Sequence, residues 1–297
     1  MASKVILIRI PPEMEGRLKQ DRLELLLRRG IEALSGVGWK KFVRRVFGTS
    51  ARVGLKVNCL GAPGIPTNPS VAYAFASLLI SAGLSEEKVI IWDRQNRELK
   101  SGGYRLNYAS SGFRCYGTDT LGVGYERELL IHGEVGSLPS KILTKHCDLQ
   151  VSLPVLKDHL LAGYTGSMKN FFGAIHNPNK YHMDGCRPFV TDLFSAPEVR
   201  NRVVFTVLDG TYVQYNGGPS FDPRWKSWEG VILLSLDPVA VDYVGYEILE
   251  KLRKRNGLPS LKDEKRYPAY IFDAASPDYD LGCAGEEEVV VEEVTGA

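Results

Sequence analysis

The sequence predicts an α/β protein, with a mixed or mostly parallel sheet and flanking helices arranged as one body or two lobes around a central crevice. Three observations lead there. From Arg52 onward, short apolar runs alternate with stretches of helical periodicity, as they do when strands return through crossover helices. Several runs end in a polar side chain, at Asn58, Asp93, Lys157, Asp209 and Asp237, and in open α/β sheets ligands bind beyond the carboxyl ends of the strands. The chain has 297 residues, 44% of them hydrophobic, which is enough for one large core or two closely packed lobes.

The elements begin with a short strand at residues 4–10. Residues 16–47 read as helical and peripheral. Leu18, Leu25, Leu26, Ile31 and Leu34 recur near helical spacing, and Trp39, Phe42, Val43, Val46 and Phe47 alternate with Lys40, Lys41, Arg44 and Arg45. Residues 1–48 thus form an N-terminal extension and 49–297 the α/β domain. Val53 to Val57 is its first strand. Asn68-Pro69 supplies an N-cap and first-turn proline for a helix that Gly83 closes, and Lys88 to Trp92 is the next strand. Between 94 and 147, glycines from Gly102 to Gly136 interrupt every period, so hairpins or long loops are expected. Regularity resumes with a strand at Leu149 to Leu156, a helical segment at Ser167 to Phe172 and a helix near Pro188 to Val199. Strands follow at Val203 to Leu208 and Val231 to Leu236. Asp237-Pro238 then opens a helix whose Val241, Val244, Ile248 and Leu252 share a face. Near the end, glutamates surround Val289, Val290 and Val291, the pattern of an edge strand guarded by charge.

Composition excludes several classes. Lysine and arginine number 37 against 35 acidic residues, a net charge of +2, so no global field selects nucleic acid or a membrane surface. The longest mainly apolar stretch, Val71 to Leu84, is too short to span a bilayer, and Met1 to Ile10 does not read as a secretory signal. A soluble protein is expected, cytoplasmic or exported with its signal absent from this chain. Cys59, Cys115, Cys147, Cys186 and Cys283 include no C-x-x-C pair, so neither an iron–sulfur cluster nor a disulfide framework is expected.

Candidate chemistry gathers in two places. One is the set of strand ends, where Lys56 and Asn58 close the first run of the domain and Asp93, Lys157, Asp209 and Asp237 close later ones. The other is the glycine-, asparagine- and proline-rich stretch from His159 through Lys169, Asn170 and His176 to His182. Its lysines can neutralise a carboxylate or phosphate, and a lysine desolvated beside other cations can become a base or nucleophile. Asn216, Gly217 and Gly218 can present N–H groups to an anion or make a turn. His159, His176, His182 and Cys186, with Asp93 or Asp209, could supply ligands for a divalent metal. Their spacing matches no standard metal motif, and hydrogen-bonded histidines that organise the loop are the simpler account. Asp237 before Pro238 also reads as an N-cap, and Asp242 as a residue complementing its helix dipole.

Leu153-Pro154-Val155-Leu156-Lys157-Asp158-His159, followed by Lys169-Asn170 and His176-Asn177-Pro178-Asn179-Lys180-Tyr181-His182, resembles the DUF362 family, a domain of unknown function. The subgroup it most resembles is often exported by the twin-arginine route. Weaker matches are Gly54 to Cys59, Ile91 to Arg94, Gln214 to Pro219 and Asp237 to Asp242. The resemblance implies fold and family and leaves the chemistry open. The ferredoxin-like module of many relatives is not expected, since the cysteines of this sequence lack cluster spacing.

The residues support a crevice for a small anionic or metal-chelated ligand, with acid/base or hydrolytic chemistry. Lys157 and Lys169 would hold the anion, His159 would transfer protons, and Asp93 and Asp209 would orient the lysines or a divalent ion. The alternatives are a non-catalytic ligand- or metal-binding protein using the same crevice, and an interaction module working through residues 39–45.

Overall fold

The computed structural model describes residues 2–109 and 111–295. Its elements are β1 (Ser3–Arg9), α1 (Gln20–Ser35), α2 (Trp39–Phe47), β2 (Val53–Val57), α3 (Pro69–Ser81), β3 (Val89–Asp93), α4 (Asn96–Ser101), β4 (Arg114–Gly117), β5 (Leu130–His132) and β6 (Val135–Ser137). They continue with β7 (Leu149–Leu153), β8 (Val155–His159), β9 (Gly163–Thr165), α5 (Phe189–Ser195), α6 (Pro197–Arg200), β10 (Val203–Gln214), β11 (Lys226–Ser235), α7 (Pro238–Arg255), α8 (Ala269–Ala275) and β12 (Val289–Thr295).

Ten strands form one mixed sheet in the order β12-β1-β11-β10-β7-β2-β3-β4, with β8 pairing to β10 and β9 off that path. From β10 to β4 the neighbours are parallel, as the alternation in the sequence predicts. Successive side chains of a strand face opposite layers, and both layers are covered. Ile6, Ile8, Val53, Leu55, Ile91 and Phe205 pack with Leu27, Phe42, Phe47 and Phe75 of α1, α2 and α3. Trp92, Leu208 and Leu233 pack with Val190, Val241, Leu249 and Ile271 of α5, α7 and α8. Each such side chain contributes about 1.5–3 kcal/mol by leaving water, so the two apolar faces dominate over surface ion pairs.

β1 lies between β11 and β12, which places residues 3–9 inside the same sheet as the rest of the chain. The basic residues of α2 are exposed, and the Arg44 Nε donates to the Ala82 carbonyl at 2.7 Å. They form the solvated face of a covering helix.

Four features differ from the sequence reading. Besides the expected hairpin, β5–β6, the glycine-rich region contributes β4, a strand of four residues parallel to β3. The run Leu149 to Leu156 is two strands, because Pro154 has no N–H to continue the ladder. The segment after Ser167 is a 3-10 helix, Lys169–Ala174. Finally, β11 runs antiparallel to β10, with Ser235 opposite Thr206, so Leu236 and Asp237 sit at the edge opposite the carboxyl ends of the parallel strands. A connection of about ten residues, with only the single 3-10 turn Pro223–Trp225 in it, is too short for a parallel crossover.

Candidate functional site

The sheet parts at Pro154. β7 pairs with β2 as far as Leu153 opposite Val57, but β8 pairs with β10 and β9 instead. The gap between Asn58 and β8, closed over by the segment from Lys169 to His182, is a cavity of about 380 Å³, at the small end for ligand sites.

Its floor is a committed ion pair. Lys56 is buried, and its Nζ donates to the Val57 carbonyl and Asp93 Oδ1, both at 2.7 Å, and to Asn170 Oδ1 at 3.3 Å. Asp93 also accepts the Cys59 N–H at 2.6 Å and the Arg94 N–H at 2.7 Å. Asn170 Nδ2 donates to the Lys56 carbonyl at 2.7 Å and to Ser152 Oγ at 3.2 Å. These bonds tie β2 and β3 to the covering segment and leave little free charge.

The β8–β9 wall differs. Lys157 pairs with Thr165 and His159 with Gly163, so strand alternation turns Lys157, His159 and Thr165 toward the cavity and Asp158 and Tyr164 away. Lys157 is fully buried. Its Nζ donates to Asn58 Oδ1 at 3.2 Å and to the Leu60 carbonyl, and among the described residues it has no carboxylate partner. Burial destabilises the ammonium, Lys169 adds repulsion, and Asp93 only partly compensates, so the pKa falls to about 7. The Thr165 hydroxyl is buried with no hydrogen-bond partner among the described residues.

The outward-turned residues fix this wall from behind. Asp158 accepts from Arg266 Nη1 at 2.7 Å and from the Gly218 N–H at 3.0 Å. Asp242 accepts the N–H groups of Ser167 at 2.5 Å and Met168 at 2.9 Å, and the Tyr164 hydroxyl at 3.3 Å. Burial nevertheless pushes its carboxyl up to about 7. Asp242 therefore clamps the turn that delivers Lys169, which is more than the dipole role expected of it. Gly166 stands in that turn because a Cβ there would come within 2.1 Å of Asp242 Oδ1.

Lys169 Nζ lies 3.3 Å from His182 Nε2 and 4.7 Å from the centroid of the Phe172 ring. His182 Nδ1 faces the Pro178 carbonyl at 3.0 Å. A carbonyl only accepts, so Nδ1 carries the proton and Nε2 accepts from Lys169. His159 has the opposite tautomer. Its Nδ1 accepts the N–H groups of Leu161 and Ala162 at 3.2 and 3.1 Å, which leaves the proton on Nε2. The two imidazoles stack with centroids 5.3 Å apart. Burial brings Lys169 down to about 8. Burial, reinforced by Lys169, His182 and Lys157, drives His159 to about 2, and burial with Lys169 also lowers His182.

Of the expected residues, Lys56, Asn58, Asp93, Lys157, His159, Lys169, Asn170 and His182 line this one cavity. Others lie elsewhere. Asp209 is buried within β10, where it accepts the N–H groups of Asn68 at 2.7 Å and Thr211 at 2.9 Å and so anchors the start of α3. His176 is exposed, edge-on to Tyr125. Asn216 accepts from Arg253 at 3.3 Å. Gly217 and Gly218 form a turn against β8, where a Cβ on Gly218 would lie 1.9 Å from the Asp158 carbonyl oxygen, and this turn brings Pro219 to the cavity. Asp237 caps α7 through the N–H groups of Val239 and Ala240 at 2.8 and 3.0 Å. Among the described residues no group of three or more His, Cys, Asp or Glu side chains is placed to hold a metal ion. His159, His176, His182 and Cys186 are therefore not gathered into such a group among the described residues.

The cavity also takes in Arg94, Glu98, Thr165, Phe172 and Asn179, none of which the sequence reading selected. Thr165 could be found only through its register with Lys157, and Arg94 only through its place after Asp93.

The family profile described as Domain of unknown function (DUF362) matches residues 53–247, and the chain belongs to that family. Solved structures similar to it include the lactate racemase apoprotein from Thermoanaerobacterium thermosaccharolyticum, 14% identical, with a TM-score of 0.47 over 83% of this chain and 57% of that one. A Thermotoga maritima protein is 12% identical, with a TM-score of 0.41 over 81% of this chain and 60% of its own. The chain thus spans less than two thirds of either structure, and neither likeness transfers a ligand or reaction. No curated protein matches it.

Proposed function

We propose that the cavity binds a small organic anion, a carboxylate or phosphate, and presents it to amine and imidazole groups suited to acid/base chemistry. The observation that carries this reading is the pair Lys157 and Lys169, two buried lysines facing one cavity with no carboxylate partner among the described residues. Two buried cations without a paired carboxylate, Lys157 being only partly compensated by Asp93, cost several kcal/mol, and a bound anion would offset that cost. The unpartnered Thr165 hydroxyl and the His159 Nε2–H add neutral donors. Because His159 stays uncharged at neutral pH, it serves as a hydrogen-bond donor, and proton transfer falls to Lys157 and Lys169, which titrate near neutrality.

Calorimetry with phosphate, propanoate and larger carboxylates tests the reading. Lys157→Met and Lys169→Met should each weaken binding about tenfold or more, as expected when a charge-assisted bond is lost, while the variants remain folded. Unchanged affinity in both variants would remove the proposal. A ligand bound but never converted would favour a non-catalytic binding protein in the same cavity. The likeness to the exported subgroup is likewise a proposal, tested by fractionating the native protein.

A further inference from the structure

Lys157 offers more than a counter-charge. Its nitrogen is tetrahedral, with Cε in one position and two protons donated to Asn58 Oδ1 and the Leu60 carbonyl. That is the full complement of a neutral amine, and the fourth position is left for a third proton or for a lone pair. A fully buried lysine whose acceptors are two neutral carbonyl oxygens, with a second cation in the same cavity, is a setting that yields a nucleophilic amine. Opposite it in register stands the unpartnered Thr165 hydroxyl, and two residues along the strand is His159 with Nε2–H unengaged by its Nδ1 bonds. Both are neutral donors that can polarise a carbonyl oxygen without protonating the amine.

We propose that Lys157 forms an imine with a small carboxylate that also carries an aldehyde or ketone, the carboxylate being held by Lys169. This rests on the anion reading above and narrows its ligand class. In the step, the Lys157 lone pair attacks the carbonyl carbon as the C=O π pair moves to oxygen. A proton from the attacking nitrogen passes to that oxygen to give a carbinolamine. The nitrogen lone pair then expels the hydroxyl, which takes up a solvent proton and leaves as water. Amine, carbonyl compound and one proton thus become a protonated imine and water, with no oxidant or reductant consumed. Thr165 and His159 hydrogen-bond to the carbonyl oxygen during attack.

The test is borohydride trapping on the full chain with glyoxylate, pyruvate and 4-oxopentanoate, read by intact mass and peptide mapping. A single adduct on Lys157, suppressed by excess propanoate and lost in Lys157→Arg and Lys157→Met, is the expected result. Mapping in the unaltered protein keeps the test valid even if a variant fails to fold. No adduct, an adduct on Lys169, or labelling spread over exposed lysines would each overturn the imine. If calorimetry shows propanoate bound while no adduct forms, the imine fails and the anion site stands. If neither anion binding nor an adduct is found, both fail.

Discussion

At the residue scale the two cavity lysines make stability and binding respond to pH. Lys157 has its folded-state pKa lowered to about 7 from the ordinary lysine value, so between pH 7 and about 10.5 the unfolded chain binds more protons. Stability should rise with pH across that window, at up to about 1.4 kcal/mol per pH unit for one such group. As pH falls through 7 the contribution is lost. Denaturant titrations of the unaltered protein and Lys157→Met at pH 7, 8 and 9 should show a shallower slope in the variant. Equal slopes would mean that the ammonium is not desolvated. A saturating carboxylate should flatten the slope as well, because a bound anion stabilises the protonated amine. Thr165→Val tests the neutral donor. An unpartnered buried hydroxyl contributes nothing to the fold, so the variant should be as stable as its parent or more so. The same change should cost anion affinity about two- to tenfold, the worth of one hydrogen bond. A marked loss of stability would show that the hydroxyl has a partner after all.

At the element scale the determining device is the two-residue alternation of β8. Lys157 and His159 face the cavity, while Asp158, between them, is held by Arg266 and by the Gly218 N–H. Asp158→Ala would leave the buried Arg253 and the partly buried Arg266 short of a counter-charge, although Glu264 also contacts both. The expected loss is on the order of 3 kcal/mol, with weakened anion binding because the Gly218–Pro219 turn is released. A thermal melt and calorimetry on the same variant check both effects. Much of this wall could be read from the sequence. Lys-Asp-His after an apolar run predicts two side chains on one face and one on the other, and Asn58 and Asp93 end strands short enough to recognise. What could not be read was direction and continuity. Asp237 ends an apolar run just as Asp93 does, but β11 points the other way, and only the short connection from β10 hints at it. Asp209 reads as a strand end because it closes the apolar run Val203 to Leu208, yet β10 continues to Gln214. β4, with four residues and a terminal glycine, has too few side chains to show a period.

At the scale of the whole molecule, the family-level reading and the mixed, mostly parallel sheet were accessible from sequence. The cavity was accessible only in outline, because it arises where β8 leaves β2 and no local pattern records a separation between strands. His176 shows the limit of reasoning from crowding along the chain. It lies amid cavity residues in sequence, yet it is exposed, because the backbone at Ile175 and His176 pairs with Pro139 and Leu138 before Pro178 returns to the wall. The position of β1 between β11 and β12 has a consequence for synthesis. Ser3–Arg9 leaves the ribosome roughly 220 residues before Val231–Leu234, the segment it pairs with, and β12 follows later still. At about 5–20 residues per second, that apolar strand waits on the order of 10–40 s for a partner. Nascent chains stalled before β11 should therefore hold Ile6 and Ile8 accessible to holdase chaperones, and photo-crosslinking from either position should fade once translation passes Thr295. Crosslinking that is already absent at the earlier stall would mean the first strand finds interim shelter against α1, with which its inward face later shares a core.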